Sequence, residues 1–236
     1  MKAVILAGGR GTRLAPYTTI LPKPLMPVGD KPILDIVIRQ LRQHDYTDIT
    51  LAVGYLAELL MAYFGNGERF GVSLTYSRED QPLGTAGPIA LVADLNDRFL
   101  VMNGDVLTSI NYTDMLTHHR ASGAIGTVAV YSRSVKIDLG VVEYDEQQRL
   151  TNYIEKPTQH YHVSMGIYIF EPRVLNFIPK DQRLDLPDLV KNLIAAGEVM
   201  NCYPYAGYWL DIGRPDDYAQ AAADFEKLSA QLLPPE

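Results

Sequence analysis

An α/β fold built around a mostly parallel sheet is the architecture this sequence predicts, and three observations lead to it. Short apolar runs suited to buried strands alternate with segments of helical periodicity through the first 105 residues. Strands joined through helices in this way run parallel, with the helices covering both faces of the sheet. Beyond residue 125 the pattern changes to strands connected by a tight turn, which adds an antiparallel hairpin in the second half.

Each element follows from its residues. Ala3-Val4-Ile5-Leu6 is too short for a helix and stops at glycine, so residues 2–7 read as the first strand. PILDIVIRQLRQH (32–44) sets Ile33, Ile36, Val37 and Leu41 on one helical face, with Pro32 suited to the first helical position. DITLAV (48–53) and YLAELLMAYFG (55–65) repeat the strand–helix pair, and Gly65 ends the helix. VSLTYS (72–77) reads as a strand and 86–95 as a helix. RFLVMNGD (98–105) is a strand that stays apolar until Asn103-Gly104-Asp105. AIGTVAVYS (124–132) is a further strand. LGVVEYDEQQRLTNYIEKP (139–157) reads as a hairpin turning near Asp145–Gln148, and HVSMGIYIF (162–170) as one more strand. Helices are expected near 186–196 and 215–230. No repeat or flexible linker interrupts the chain, so one domain over 1–236 is expected.

Composition narrows the function. With 236 residues, 47% of them hydrophobic, the chain can bury a sizeable core. The lone Cys202 allows neither an internal disulfide nor a cysteine metal cluster, which fits a reducing cytoplasm. The apolar run in MKAVILAGGRG is too short for a signal peptide, and no stretch reaches membrane-span length. A net charge of −7 argues against nucleic acid as a partner. Yet Lys2, Arg10, Arg13 and Lys23 against Asp30 make residues 1–30 net +3 and leave the remainder at −10. A local positive region on an acidic chain suits a small anionic ligand.

That region contains LAGGRGTRLAP (6–16), with Gly8, Gly9 and Gly11 around Arg10. Glycines bring backbone N–H groups close to a phosphate, and arginine binds one bidentately. A dinucleotide fingerprint would need glycine at position 14, where Leu14 stands, and no Gly-Lys-Ser/Thr run completes a P-loop. A glycine-rich turn holding a structural ion pair remains the alternative.

GGRGTRLAPYTTILPKPLMPVGDKP (8–32) resembles the signature of the sugar-phosphate nucleotidylyltransferases, most closely the short mannose-1-phosphate guanylyltransferases. The resemblance continues in order through QPLGTAGP (81–88), NGD (103–105), GVVE (140–143), EKP (155–157) and YWLDIGRPDDY (208–218). It implies a Rossmann-like nucleotidyltransferase fold, with a nucleotide-binding part over about 1–124 and a sugar-phosphate-binding part over about 125–236. It implies that a nucleoside triphosphate and a sugar 1-phosphate give a nucleotide sugar and pyrophosphate. GTP with a mannose- or heptose-type sugar is the first choice. Thymidylyl, uridylyl or cytidylyl transfer, and a non-catalytic nucleotide-sugar-binding subunit, are the alternatives. The sequence stops shortly after DIGRPDDY, so the β-helix domain of many members is not expected, and with it goes a common oligomerisation element; a homo-oligomer stays open.

The resemblance also implies residue roles. Leu6, Gly8, Gly9, Gly11, Thr12, Arg13 and Lys23 would hold the nucleotide, chiefly its phosphates. Gln81, Gly84 and Thr85 would hold base and ribose, with Gly84 and Gly87 admitting ligand and helix closely. Gly140, Glu155, Lys156 and Ser164 would bind the sugar phosphate; Ser164-Met165 stands where many members have Asn-Ala. Arg13, Lys23 and Asp105 would be catalytic, and Asp105 and Asp211 would share a Mg²⁺ ion. Each residue also has a plainer reading: Lys23 as a solvated lysine, Thr85 as a helix cap, Glu155-Lys156 as an exposed strand end, Asp105 as a turn residue, and Asp211 as a cap or a partner of Arg214. His160 and His162 read as solvated loop histidines. Asp216 and Asp217 read as first-turn acids of a helix, and Tyr203, Tyr205 and Tyr208 as core and rim.

Overall fold

A computed structural model describes residues 1–233, so the last three residues of the expected 1–236 domain lie outside it. Its centre is a seven-stranded sheet in the order β12-β8-β11-β6-β1-β4-β5. These strands are β1 (Lys2–Ala7), β4 (Asp48–Val53), β5 (Ser73–Arg78), β6 (Phe99–Asn103), β8 (Gly126–Lys136), β11 (Thr158–Phe170) and β12 (Met200–Tyr205). Six run in one direction; β11 alone is reversed, pairing antiparallel with β6 on one side and β8 on the other. Three small two-stranded sheets lie outside it: β2 (Pro27–Val28) with β3 (Lys31–Pro32), β7 (Val106–Thr108) with β13 (Trp209–Asp211), and the hairpin β9 (Val141–Tyr144) with β10 (Leu150–Ile154).

The helices are α1 (Ile33–Gln43), α2 (Ala57–Phe64), α3 (Tyr112–Ser122), α4 (Leu186–Ala195) and α5 (Pro215–Leu232). One apolar cluster joins Ile5, Leu51, Met102 and Ile167 of the sheet to Leu34, Leu41, Leu60 and Met115 of α1, α2 and α3. A second joins Val4, Phe99, Val101 and Phe170 on the opposite face to Leu189 and Leu193 of α4. A third packs Ile33 and Ile36 of α1 against Leu107, Ile212 and Phe225. Each fully buried Leu, Ile or Phe contributes on the order of 1.5–3 kcal/mol, so two covered faces fix the strands in register.

Several expectations need correction. Pro32 caps α1 from outside, with extended backbone, and is not its first residue. The helix expected over 86–95 is a single 3₁₀ segment, Gly87–Leu91, which stops where Val92 turns to extended backbone and Asp94 takes a φ of +60°; at its start the Ala86 and Gly87 N–H groups, which no helix would pair, reach the Leu184 carbonyl at 2.8 and 3.1 Å. The strand expected to reach residue 105 ends at Asn103. His160 and His162 are exposed as expected, but they lie on β11 and not in a loop. The sequence reading omitted α3 altogether. Asn111 caps it, its side chain accepting the Thr113 and Asp114 N–H groups at 3.0 and 3.1 Å. Its buried stripe, Tyr112-Met115-Leu116-His119, has helical spacing but is masked by Thr and His, both indifferent helix formers.

Candidate active site

Parallel strands deliver their carboxyl ends to one edge of a sheet, and ligands bind there. The loops after β1, β4, β5 and β6 meet at that edge around a cleft of about 810 Å³. Every residue to which the resemblance gives a nucleotide role lines it: Leu6, Gly8, Gly9, Gly11, Thr12, Arg13, Lys23, Gln81, Gly84 and Thr85. Asp105 lines it too. Arg10, the other cation of the glycine loop, lines it as well, and Tyr55, Arg78 and Glu79 are lining residues with no role assigned from the sequence. Glu79 was legible in principle, because it stands at the carboxyl end of a strand in a parallel sheet.

The glycine loop is held from below. The Leu14 N–H donates to the Gly11 carbonyl at 2.9 Å, and the buried Thr18 hydroxyl donates to the same oxygen at 2.8 Å. The Arg13 guanidinium lies against Gly213, within 3.4 Å of the point where a side chain would begin. This contact brings the loop to the segment that follows Asp211.

Lys23 is not a solvated lysine. Its side chain is 10% exposed and forms an ion pair with Asp105 Oδ2, whose own side chain is 22% exposed. Asp105 Oδ1 is buried and has no hydrogen-bond partner among the described residues. Asp105 also stands next to Asp211, because β7 and β13 are paired and the Ile212 N–H donates to the Asp105 carbonyl at 3.2 Å. Burial first, and the Asp105 charge second, push the Asp211 carboxyl above the usual carboxylate range; Lys23 and Arg13 pull it down. No ion pair joins Asp211 to Arg214 among the described residues. Two adjacent carboxylates, one with an orphaned buried oxygen and the other hard to ionise, fit a divalent cation held by oxygen ligands. Among the described residues no group of three or more His, Cys, Asp or Glu forms a fuller metal cage, so such an ion would complete its shell with water and phosphate.

The segment 83–88 differs from expectation. The Thr85 hydroxyl accepts the Leu186 N–H at 2.7 Å, so Thr85 caps α4, a hundred residues away, and not a helix of its own. Asp185 Oδ1 accepts the Thr85 N–H at 3.1 Å in return. Gly84, at φ +81°, and Gly87 leave room for the backbone of residues 182–184, which lies 2.6–2.9 Å from their absent Cβ positions. The close approach at these glycines is thus to this chain's own backbone.

The residues expected at the sugar phosphate do not line the cleft. Gly140 lies under the Tyr153 hydroxyl, in the β9–β10 hairpin. Glu155 and Lys156 have side chains 61% and 56% exposed, with Lys156 Nζ 3.9 Å from Glu155. The Ser164 hydroxyl is hydrogen-bonded to the Tyr168 hydroxyl at 2.9 Å and accepts the Gly166 N–H at 3.2 Å. Asp216 and Asp217 occupy the first turn of α5, where Asp217 accepts the Gly213 N–H at 3.2 Å.

The sequence pattern of the nucleotidyl transferase family matches residues 2–227. The chain is 36% identical over 241 residues to a UTP–glucose-1-phosphate uridylyltransferase of a Synechocystis species, covering 94% of this chain and 62% of that one. It is 36% identical over 231 residues to a mannose-1-phosphate guanyltransferase of Schizosaccharomyces pombe, covering 92% and 62%. It is 34% identical to the mannose-1-phosphate guanylyltransferase of Mycobacterium tuberculosis, covering 94% and 64%. The chain thus spans less than two thirds of the length of these relatives. Among solved structures, a Bacillus anthracis protein assigned as a glucose-1-phosphate thymidylyltransferase, crystallised with sucrose, superposes with a TM-score of 0.76 at 29% identity, over 94% of each chain.

Proposed function

The chain belongs to the nucleotidyl transferase family, and from that premise we propose that it joins a nucleoside triphosphate to a sugar 1-phosphate, releasing pyrophosphate. The observation that carries this reading is the cleft: a glycine loop with Arg13 and Lys23 faces the carboxylate of Asp105, with Asp211 beside it. The two substrates bring about six negative charges together, so neutralising their repulsion is the first task of the site.

In the proposed reaction a phosphate oxygen of the sugar 1-phosphate attacks the α-phosphorus. The bond from that phosphorus to the bridging oxygen breaks, and pyrophosphate leaves with the electron pair. Backbone N–H groups of residues 8–13 surround the triphosphate, and Arg13, steadied against Gly213, meets its charge. Lys23 is held at the wall by Asp105 and can exchange that carboxylate for a phosphate oxygen. Contacts of this kind contribute about 2–4 kcal/mol of transition-state stabilisation. Asp105 and Asp211 would hold the metal, and Mg²⁺ is the ion that one or two carboxylates with phosphate and water suit best; bound there it would withdraw charge from the α-phosphate.

Glu155 and Lys156 are assigned to the sugar and its phosphate, with Gly140 and Ser164 nearby in the second part of the chain. This assignment rests on their place in the motif series, and it divides the chain into a nucleotide part over about 1–124 and a sugar-phosphate part over about 125–236. GTP and a mannose- or heptose-type 1-phosphate are the first choice, supported by relatives named as guanylyltransferases. The uridylyl- and thymidylyltransferase relatives keep other bases as alternatives. A cytoplasmic location belongs to the same proposal; among the described residues no helix is long and apolar enough to cross a membrane.

A pyrophosphate-release assay over a panel of nucleoside triphosphates and sugar 1-phosphates, with EDTA and then excess Mg²⁺, tests the reading. The expected result is turnover with one base strongly preferred, abolished by EDTA and restored by Mg²⁺. Folded protein that releases no pyrophosphate with any pair would leave a non-catalytic nucleotide-sugar binder as the better account.

A further inference from the structure

We propose that the β-arm between Ser132 and His162 docks onto a second copy of this chain, burying the apolar face around Tyr144 and Leu150. This goes beyond the transferase reading and does not rest on it. β8 and β11 both run past the sheet that holds them. β12 pairs with β8 only as far as Tyr131, and β6 pairs with β11 only from Ile167 onward. Beyond those points β8 and β11 pair with each other alone, from Ser132↔His162 to Lys136↔Thr158. The Ile137 N–H donates to the Pro157 carbonyl at 3.0 Å and carries the ribbon on into the hairpin β9–β10, which turns at Asp145–Arg149. The chain thus extends a two-stranded arm, and no third strand pairs with it among the described residues.

An arm of this kind is poorly equipped to stand alone. No residue from Ser132 to His162 is buried. Yet eight of the sixteen large apolar side chains exposed among the described residues fall within 135–161. A two-stranded ribbon is marginal in water and needs a further layer against its apolar face. The strand pairing locates that face. Tyr144 lies opposite Leu150 and Val142 opposite Tyr153, and Val142 and Tyr144, two residues apart, point to the same side. These four residues are 48–69% exposed and form one stripe.

Area and charge decide what covers it. Taking about 200 Å² for a fully exposed tyrosine and less for the aliphatic residues, the eight side chains leave on the order of 800 Å² of apolar surface. One side of a standard protein interface contributes about 800 Å² as well. Residues 132–162 carry four cations, Arg133, Lys136, Arg149 and Lys156, against five acids, so the arm is net −1 and the rest of the −7 chain is −6. With no surplus of cations the arm does not attract nucleic acid or an anionic lipid surface. It is instead a near-neutral region at which two copies of an acidic chain can meet without strong repulsion. A two-fold contact between identical stripes is self-complementary, so each copy covers what the other exposes.

The test is the mass of the full chain in solution, by sedimentation equilibrium over about 1–100 μM. Wild type, 26.3 kDa per chain, is expected at twice that mass. Tyr144→Glu and Leu150→Glu set a carboxylate in the stripe and are expected at the single-chain mass with an unchanged thermal midpoint. Ile194→Glu, at an exposed apolar position outside the arm, is expected to keep the double mass. Wild type at the single-chain mass throughout overturns the proposal. Double mass in both stripe variants, or dissociation caused by Ile194→Glu instead, places the contact elsewhere and also overturns it. Should the stripe variants fail to fold, amide hydrogen exchange of wild type decides. Residues 141–154 slow as concentration rises when the arm is the contact, and exchange at one rate when it is not. A single-chain mass with the arm protected only by added nucleoside triphosphate and sugar 1-phosphate makes it a cover for substrates and removes the second copy. None of these readouts is turnover, so the transferase reading stands or falls separately.

Discussion

Replacing Lys23 by methionine removes one charge from the least accessible ion pair in the cleft and keeps the volume of the side chain. In the native chain Lys23 is the only ion-pair partner of Asp105 among the described residues, and Asp105 Oδ1 is already unpartnered. Lys23→Met therefore leaves a carboxylate with neither oxygen satisfied, beside Asp211. Breaking a buried pair from one side costs about 3–5 kcal/mol. The 22% exposure of Asp105 lets some water in, so the lower figure, about 3 kcal/mol, is expected. Adding Asp105→Asn removes the orphaned charge, so the double variant should be more stable than additivity allows, by about 1–3 kcal/mol. Urea unfolding in metal-free buffer at pH 7 measures both quantities. Excess Mg²⁺ should restore part of the loss in Lys23→Met, because an ion that binds only the native state stabilises it. Unfolding of Lys23→Met within about 0.5 kcal/mol of wild type, the range of an ordinary surface change, would refute the reasoning.

Three further outcomes are expected. The raised Asp211 carboxyl ionises less readily in the folded chain than in the unfolded one, so its contribution favours folding only at low pH and is lost as pH rises through the folded value. Asp211→Asn should accordingly raise the metal-free thermal midpoint at pH 7 while removing most activity; a lowered midpoint would contradict the burial argument. Lys156→Ala, at an exposed position, should leave stability within about 0.5 kcal/mol and raise the KM for sugar 1-phosphate far more than that for the triphosphate; equal effects on both substrates would show that Lys156 does not meet the sugar's phosphate. Gly84→Ala puts a side chain at φ +81° and against the Leu184 carbonyl, so a loss of more than about 1 kcal/mol and weaker nucleotide binding are expected, whereas unchanged unfolding would show that the segment shifts freely.

The strands of the first half were legible because each is a short apolar run ending in glycine or a polar residue, and β1 and β4 match residue for residue. The cleft-lining residues 8–13 and Gly104-Asp105 were legible because they lie directly after such strands. What stayed hidden depends on pairs far apart in sequence. Nothing near Thr85 announces that its hydroxyl caps α4, and nothing in PKP shows that Lys23 is buried against Asp105. Glu79 went unassigned because it lies just outside the QPLGTAGP motif, which begins at Gln81. Helix α3 was missed because the eighth residue, on its core stripe, is His119, a side chain that reads as polar although the fold buries it against Thr127 at 2.8 Å.

The single reversed strand has a consequence for how the chain is made. β11 fills the gap between β6 and β8, yet it is composed of residues 158–170 and so leaves the ribosome after both. Until it arrives, β6 presents an open row of peptide groups at what will be the middle of the sheet, flanked by apolar side chains. Such a row is a template for pairing with any extended segment, including one from a neighbouring nascent chain. The first half of the chain therefore remains adhesive until the second half closes it, and a cut between the two would yield a sticky fragment in place of an independent module.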